Sequence, residues 1–149
     1  MQRVSLNSLK TRLPEYHYLQ ALVSFVEHVT ADFRPQAIIL FGSLARGDYY
    51  LDSDADVCVI LRHPQAHWFD DAYRVSERDE RGIAEVLVYG RDQFLEMLQE
   101  ANTLALEVCH DGWVLEGDAQ YIRQLEEIFT KVKHQFRLEK TPDGWRKVR

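Results

Sequence analysis

Apolar side chains at Leu19, Leu22, Val23, Val26, Val29 and Phe33 have the spacing of one buried helical stripe and predict a helix over 15–33. Pro14 lies near its first turn, where a missing N–H costs nothing, and Arg34-Pro35 ends it. Ala37-Ile38-Ile39-Leu40-Phe41 is a short unbroken apolar run, as expected of a strand covered on both faces. A Gly/Ser/Asp-rich stretch from Gly42 to Ser53 separates it from a second such strand over 55–61. A helix is predicted over 66–80, a third strand over 83–89 between Gly82 and Gly90, and a helix over 92–102 carrying Phe94, Leu95 and Leu98. A further short helix over 103–110 leads through Asp111-Gly112 into a fourth strand, Trp113-Val114-Leu115-Glu116, expected at a sheet edge. Ile122, Leu125, Phe129, Val132 and Phe136 share a face of a final helix over 119–136.

This order predicts an α+β domain of α/β type, with a small mixed sheet of about four strands packed against helices and a C-terminal helix. The domain is expected to span 1–137, with a core at 15–117 and the helix 119–136. Residues 138–149, with a Thr141-Pro142-Asp143-Gly144 turn, are the candidate for a loose, basic tail. No repeat or low-complexity segment is visible.

Charge changes the picture in one respect. The chain of 149 residues carries a net charge of −6, but residues 131–149 hold seven basic side chains against Glu139 and Asp143, leaving −11 on the rest. An acidic body argues against duplex-DNA binding, which needs many phosphate contacts. The basic end suits a helix C-terminus, an RNA, a nucleotide or an acidic partner. Cys58 and Cys109 are too few and too far apart for a disulfide framework or a Cys-rich zinc site. With no apolar leader and no run of about 18 apolar residues, a cytoplasmic, reduced protein without a membrane span is expected.

The chemistry concentrates between Leu40 and Ile60. A strand runs into Gly42-Ser43, and Ser43-Leu44-Ala45-Arg46 can form one helical turn whose free N–H groups favour an anion such as phosphate. Gly42 admits a phosphate to the main chain and the Ser43 hydroxyl adds a donor. Ten residues later Asp54-Ala55-Asp56 opens a strand, and alternation puts both carboxylates on one face roughly 7 Å apart. Hard oxygen ligands so placed suit Mg²⁺, and two such ions about 3.5–4 Å apart promote phosphoryl or nucleotidyl transfer. A polar loop-to-strand junction explains one Asp easily. It explains less well two in phase before Val57-Cys58-Val59-Ile60, where unpaired carboxylates are expensive. Glu85, alone among apolar residues of the third strand, is a candidate third carboxylate; the alternative is an edge-strand Glu reaching solvent.

These residues resemble a known family. Gly42-Ser43, ten residues, then Asp54-Ala55-Asp56 is similar to the signature of the nucleotidyltransferase superfamily related to DNA polymerase beta. The Gly42-Ser43-Leu44-Ala45-Arg46-Gly47 wording resembles its minimal nucleotidyltransferases, the MNT or MntA-like antitoxin group, over about residues 15–117. The resemblance implies a nucleotidyltransferase fold with the active site at the Gly-Ser turn. It implies Mg²⁺, two ions, held by Asp54 and Asp56, with ATP or another NTP bound through Gly42 and Ser43. Glu85 falls at the family's third acidic position, usually Asp, and Arg46 at its arginine in the turn.

Family members that modify antibiotics carry a further helical domain for the acceptor, for which no room is expected beyond 119–149. Minimal members are often paired with a small helical HEPN protein. The expectation is therefore an antitoxin-like transferase moving AMP from ATP onto a hydroxyl of a HEPN partner. Two alternatives stand beside it. One is nucleotidylation of a small cationic acceptor such as an aminoglycoside, held at the interface of a homo-oligomer. The other is a non-catalytic antitoxin acting by contact, for which Glu-for-Asp is the support.

His110-Asp111 reads as the turn before the fourth strand rather than a dyad. Cys58 reads as strand packing, and Trp68, Phe69 and Tyr73 as core at helical spacing rather than an exposed patch. Tyr49 and Tyr50 either line a nucleotide pocket or pack their loop. No residue discriminates one base from another.

Overall fold

The computed structural model describes residues 1–65 and 67–148. In chain order its elements are β1 (Gln2–Arg3), α1 (Leu6–Arg12), α2 (Leu19–Phe33), β2 (Ala37–Phe41), α3 (Gly42–Arg46), β3 (Ala55–Leu61) and α4 (Trp68–Ser76). There follow β4 (Ala84–Gly90), α5 (Arg91–Gln99), α6 (Thr103–Asp111), β5 (Trp113–Gly117), α7 (Ala119–Gln135), β6 (Leu138–Thr141) and β7 (Gly144–Lys147). This is the expected α+β class. The main sheet has five strands rather than about four, in the order β1-β5-β2-β3-β4. The pairs β1–β5 and β3–β4 are parallel and the two between them antiparallel.

The unbroken apolar runs of β2 and β3 have the cause inferred from them, since both faces of the sheet are covered. Ile38, Leu40, Val57 and Val59 face a core with α1 and α2, centred on Leu9, Leu22, Phe25 and Val29. Ile39, Phe41, Cys58 and Ile60 face the other way, against Phe94 and Leu98 of α5, Leu106 of α6 and Leu125 of α7. Helices α6 and α7 start where side chains supply the missing acceptors: Asn102 accepts from the Ala105 N–H at 3.2 Å and Asp118 from the Tyr121 N–H at 2.9 Å. Arg34 closes α2 in a left-handed conformation, and Pro35 has no N–H to continue the ladder.

Four local expectations are corrected. Helix α2 begins at Leu19, not residue 15, because the preceding turn is tied to the β2–β3 connection. There the Tyr16 hydroxyl donates to the Ser53 carbonyl (2.6 Å) and the His17 N–H to that of Leu51 (2.9 Å). Strand β5 is not the edge, since the N-terminal β1 pairs alongside it; β4 is the outer strand on the other side. Helix α4 leaves Phe69 and Tyr73 exposed (68% and 64%) rather than in the core, while Ala66 and the Trp68 side chain lie outside the described residues.

The fourth correction concerns the basic end. Residues 138–147 are not loose but form the hairpin β6–β7, with Thr141 opposite Gly144. Trp145 seats this hairpin edge-on against His110 of α6 (5.3 Å between ring centres) and Phe129 of α7 (5.9 Å). Arg146 and Glu139 pair across the two strands. Arg149 lies outside the described residues.

Candidate active site

The site grows from the end of β2. Gly42 follows Phe41 with φ +71°, a left-handed conformation costly for any side chain. A Cβ there would overlap Asp56 Oδ2, so the backbone and this carboxyl are in immediate contact. The antiparallel pairing of β2 with β3 causes this, because it sets Phe41 opposite Asp56. On the other side of β3, the parallel ladder sets Asp56 beside Glu85, with both side chains on the same sheet face.

The two carboxyl groups crowd one another. Burial, then the charge of Glu85 and its hydrogen bond, push Asp56 from 3.8 up to about 6, and the Arg46 cation opposes the shift. An acid so raised marks a place where negative charge is unrelieved. Its hard oxygen donors suit a divalent cation, which would remove the repulsion between them and take its remaining ligands from water and phosphate. Among the described residues no three His, Cys, Asp or Glu side chains already form a metal cluster. Two carboxylates would leave most of a hard cation's shell to water and phosphate.

Gly42, Ser43, Arg46, Asp56 and Glu85 all line one cleft of about 710 Å³, within the range of small-ligand sites. Asp54 is not among its lining residues: it is exposed, one residue before β3, close enough to raise Asp56 and Tyr16 electrostatically. Glu85 is exposed and on an edge strand, yet its register brings it to the cleft. Arg46 is held from two sides, by Asp48 (Nε to Oδ2, 3.4 Å) and by Asp111 (Nη1 to Oδ2, 3.6 Å).

Local reading of the chain missed two walls of this cleft. Helix α6 contributes Leu104 and Glu107, and the hairpin contributes Lys140 through Gly144. Lys140 Nζ donates to Glu107 Oε1 at 2.9 Å, with both side chains more than three-quarters buried. Asp111, one helical turn beyond Glu107, is 9% exposed, and its Oδ2 has no hydrogen-bond partner, since 3.6 Å to Arg46 is an ion-pair distance only. Burial raises its pKa, while His110, Arg46 and Lys140 pull the other way and Glu107 adds to the rise. The one advance signal was the four-residue spacing of Glu107 and Asp111, but the helix predicted over 103–110 stops one residue short of Asp111.

His110 and Asp111 end α6 rather than forming a turn, and at 3.9 Å they are too far apart to be hydrogen-bonded. Cys58 and Cys109 are buried, and burial pushes both thiols up, away from nucleophilic chemistry. No helix among the described residues is long and apolar enough to cross a membrane.

Similarity to known proteins extends over most of the chain. No curated protein matches it. Similar solved structures include a toxin–antitoxin complex with AMP-PNP, at 18% identity and TM-score 0.49 over 74% of this chain and 89% of that one. Another is a MntA–HepT toxin–antitoxin complex, at 15% identity and TM-score 0.47 over 78% and 90%. A third holds a tri-AMPylated Shewanella oneidensis HEPN toxin with an MNT antitoxin, at 15% identity and TM-score 0.45 over 77% and 91%. The family model for the nucleotidyltransferase domain matches residues 22–140, four-fifths of the sequence and every cleft element from Gly42 to Lys140. The chain belongs to the nucleotidyltransferase domain family.

Proposed function

We propose that the protein transfers an NMP, AMP from ATP, onto a hydroxyl of a HEPN-type partner protein, as an antitoxin does in an MNT/HEPN pair. The observation that carries the transferase reading is the contact of Gly42 with Asp56, with Glu85 in register beside it and Ser43 and Arg46 in the same cleft. In this reading the Gly42-Ser43 main chain and the Ser43 hydroxyl receive the phosphates. Asp56 and Glu85 would hold Mg²⁺, with Asp54 joining them from the mouth of β3. Bound there, Mg²⁺ supplies charge neutralisation at the α-phosphate and at the departing pyrophosphate. The acceptor oxygen forms the new bond to the α-phosphorus, the bond to pyrophosphate breaks, and a cleft carboxylate takes the hydroxyl proton. The partner assignment rests on the resemblance of the Gly42–Gly47 turn and the Asp54/Asp56 pair to minimal nucleotidyltransferases.

A small cationic acceptor is the second reading. Five carboxylates against two cations line the cleft, which suits an aminoglycoside-type substrate. One experiment separates the two. The protein with Mg²⁺ and each NTP labelled at the α-phosphate is incubated with lysate of the source cells, beside an Asp54→Ala/Asp56→Ala control. Label on one protein band, absent in the control, is the expected result. Label among small molecules favours the second reading, and no transfer in any fraction overturns both in favour of a contact-only antitoxin.

A further inference from the structure

A triphosphate entering this cleft meets an unfavourable field, because its lining carries five carboxylates and only two cations, Arg46 and Lys140. These two are placed in one way. Glu107 and Asp111 stand four residues apart on a single face of α6; Glu107 holds Lys140 at 2.9 Å and Asp111 holds Arg46 at 3.6 Å. One helix face thus aligns a cation from the Gly-Ser turn with a cation from the C-terminal hairpin. Lys140 reaches the cleft only because the hairpin folds back, with Trp145 against α6 and α7. An ammonium on a four-carbon stem can exchange one anionic partner for another with little movement.

We infer that Lys140 is a nucleotide-binding residue: it leaves Glu107 for the β- and γ-phosphates, and with Arg46 forms a two-point clamp on the triphosphate. Glu107 is its resting counter-ion and competes with the nucleotide. This inference rests on the nucleotidyl-transfer reading, and the experiment separates the two.

Calorimetric titration of the full chain with MgATP and with AMP compares the wild type, Lys140→Ala, Lys140→Arg and Glu107→Gln. A charge-assisted contact to phosphate is worth about 1.5–3 kcal/mol, so Lys140→Ala should weaken MgATP roughly 10–150-fold. AMP, lacking the β- and γ-phosphates, should change less than about twofold, and Lys140→Arg should restore most of the MgATP affinity. Glu107→Gln should tighten MgATP a few-fold by freeing the ammonium. A merely structural Lys140–Glu107 pair would make both substitutions weaken binding together, and that result overturns the inference. So does a Lys140→Ala affinity equal to wild type while the wild type binds MgATP. A wild type that binds no nucleoside triphosphate overturns the transfer reading and the inference with it.

Discussion

At Gly42, one residue meets two requirements at once, a left-handed φ and the closeness of Asp56. Alanine violates both, at about 1–3 kcal/mol for the backbone alone. Gly42→Ala should therefore lower the urea midpoint and, by pushing Asp56 aside, abolish stabilisation by Mg²⁺ with ATP. Asp56 itself gives an opposite result. Its folded-state value, about 6, lies above 3.8, so between those values the native state holds more protons than the unfolded one. This group's effect is to reduce stability as pH rises from about 4 to about 6, with no further change above. In chelator, Asp56→Asn should consequently be more stable than wild type at pH 7, and urea titrations should show the gap closing toward pH 4. A variant less stable than wild type at pH 7 would contradict the picture of two crowded carboxyl groups.

Among the elements, the hairpin β6–β7 has the most separable role. It is too short to be stable alone, as isolated two-stranded hairpins are marginal in water. What holds it is Trp145 against His110 and Phe129, with the Lys140–Glu107 pair beside it. The Trp145 indole N–H is buried without a partner, so the anchor is packing and not a hydrogen bond. Each aromatic pair is worth about 0.5–1.5 kcal/mol, so Trp145→Ala should speed amide exchange across 138–147 about tenfold or more. Exchange in β2 and β3, whose residues lie in the main cores, should stay slow. Trp145→Phe should leave the hairpin protected. On the opposite flank, Tyr16 plays a comparable part, pinning the Ser53 carbonyl at 2.6 Å just before Asp54.

For the whole molecule the decisive quantity is the sign of the field in the cleft. With five carboxylates and two cations around it, the cleft repels free ATP more strongly than its less negatively charged Mg²⁺ complex. Ligand at a hundred times Kd adds about 2.7 kcal/mol, or about 5–10 °C in Tm for a chain of this size. Thermal melts should show that rise with Mg²⁺ and ATP together, and little of it with ATP in chelator. An equal rise in both would mean that the carboxylates do not hold the cation.

What the linear chain determined by itself was whatever depends on near neighbours. Apolar runs at Ala37–Phe41 and Ala55–Leu61 announced covered strands, helical stripes announced α2 and α7, and Gly42-Ser43 with Asp56 announced residues that meet at one cleft. Each signal lies within a few residues, where chain geometry alone relates the side chains. Sheet order was not of this kind. Two residues of β1 pairing with β5, and β4 falling at the edge, are contacts across more than a hundred residues and across a helix respectively. Glu85 was picked out by its solitude in an apolar strand, but its place beside Asp56 came from the ladder. Lys140 carried no signal, because a lysine in a basic stretch looks like any solvated charge. Only the folding back of the hairpin onto α6, where Glu107 waits, turned it toward the cleft; the half-buried Trp145 packs that fold in place, and such packing is a property of the whole chain.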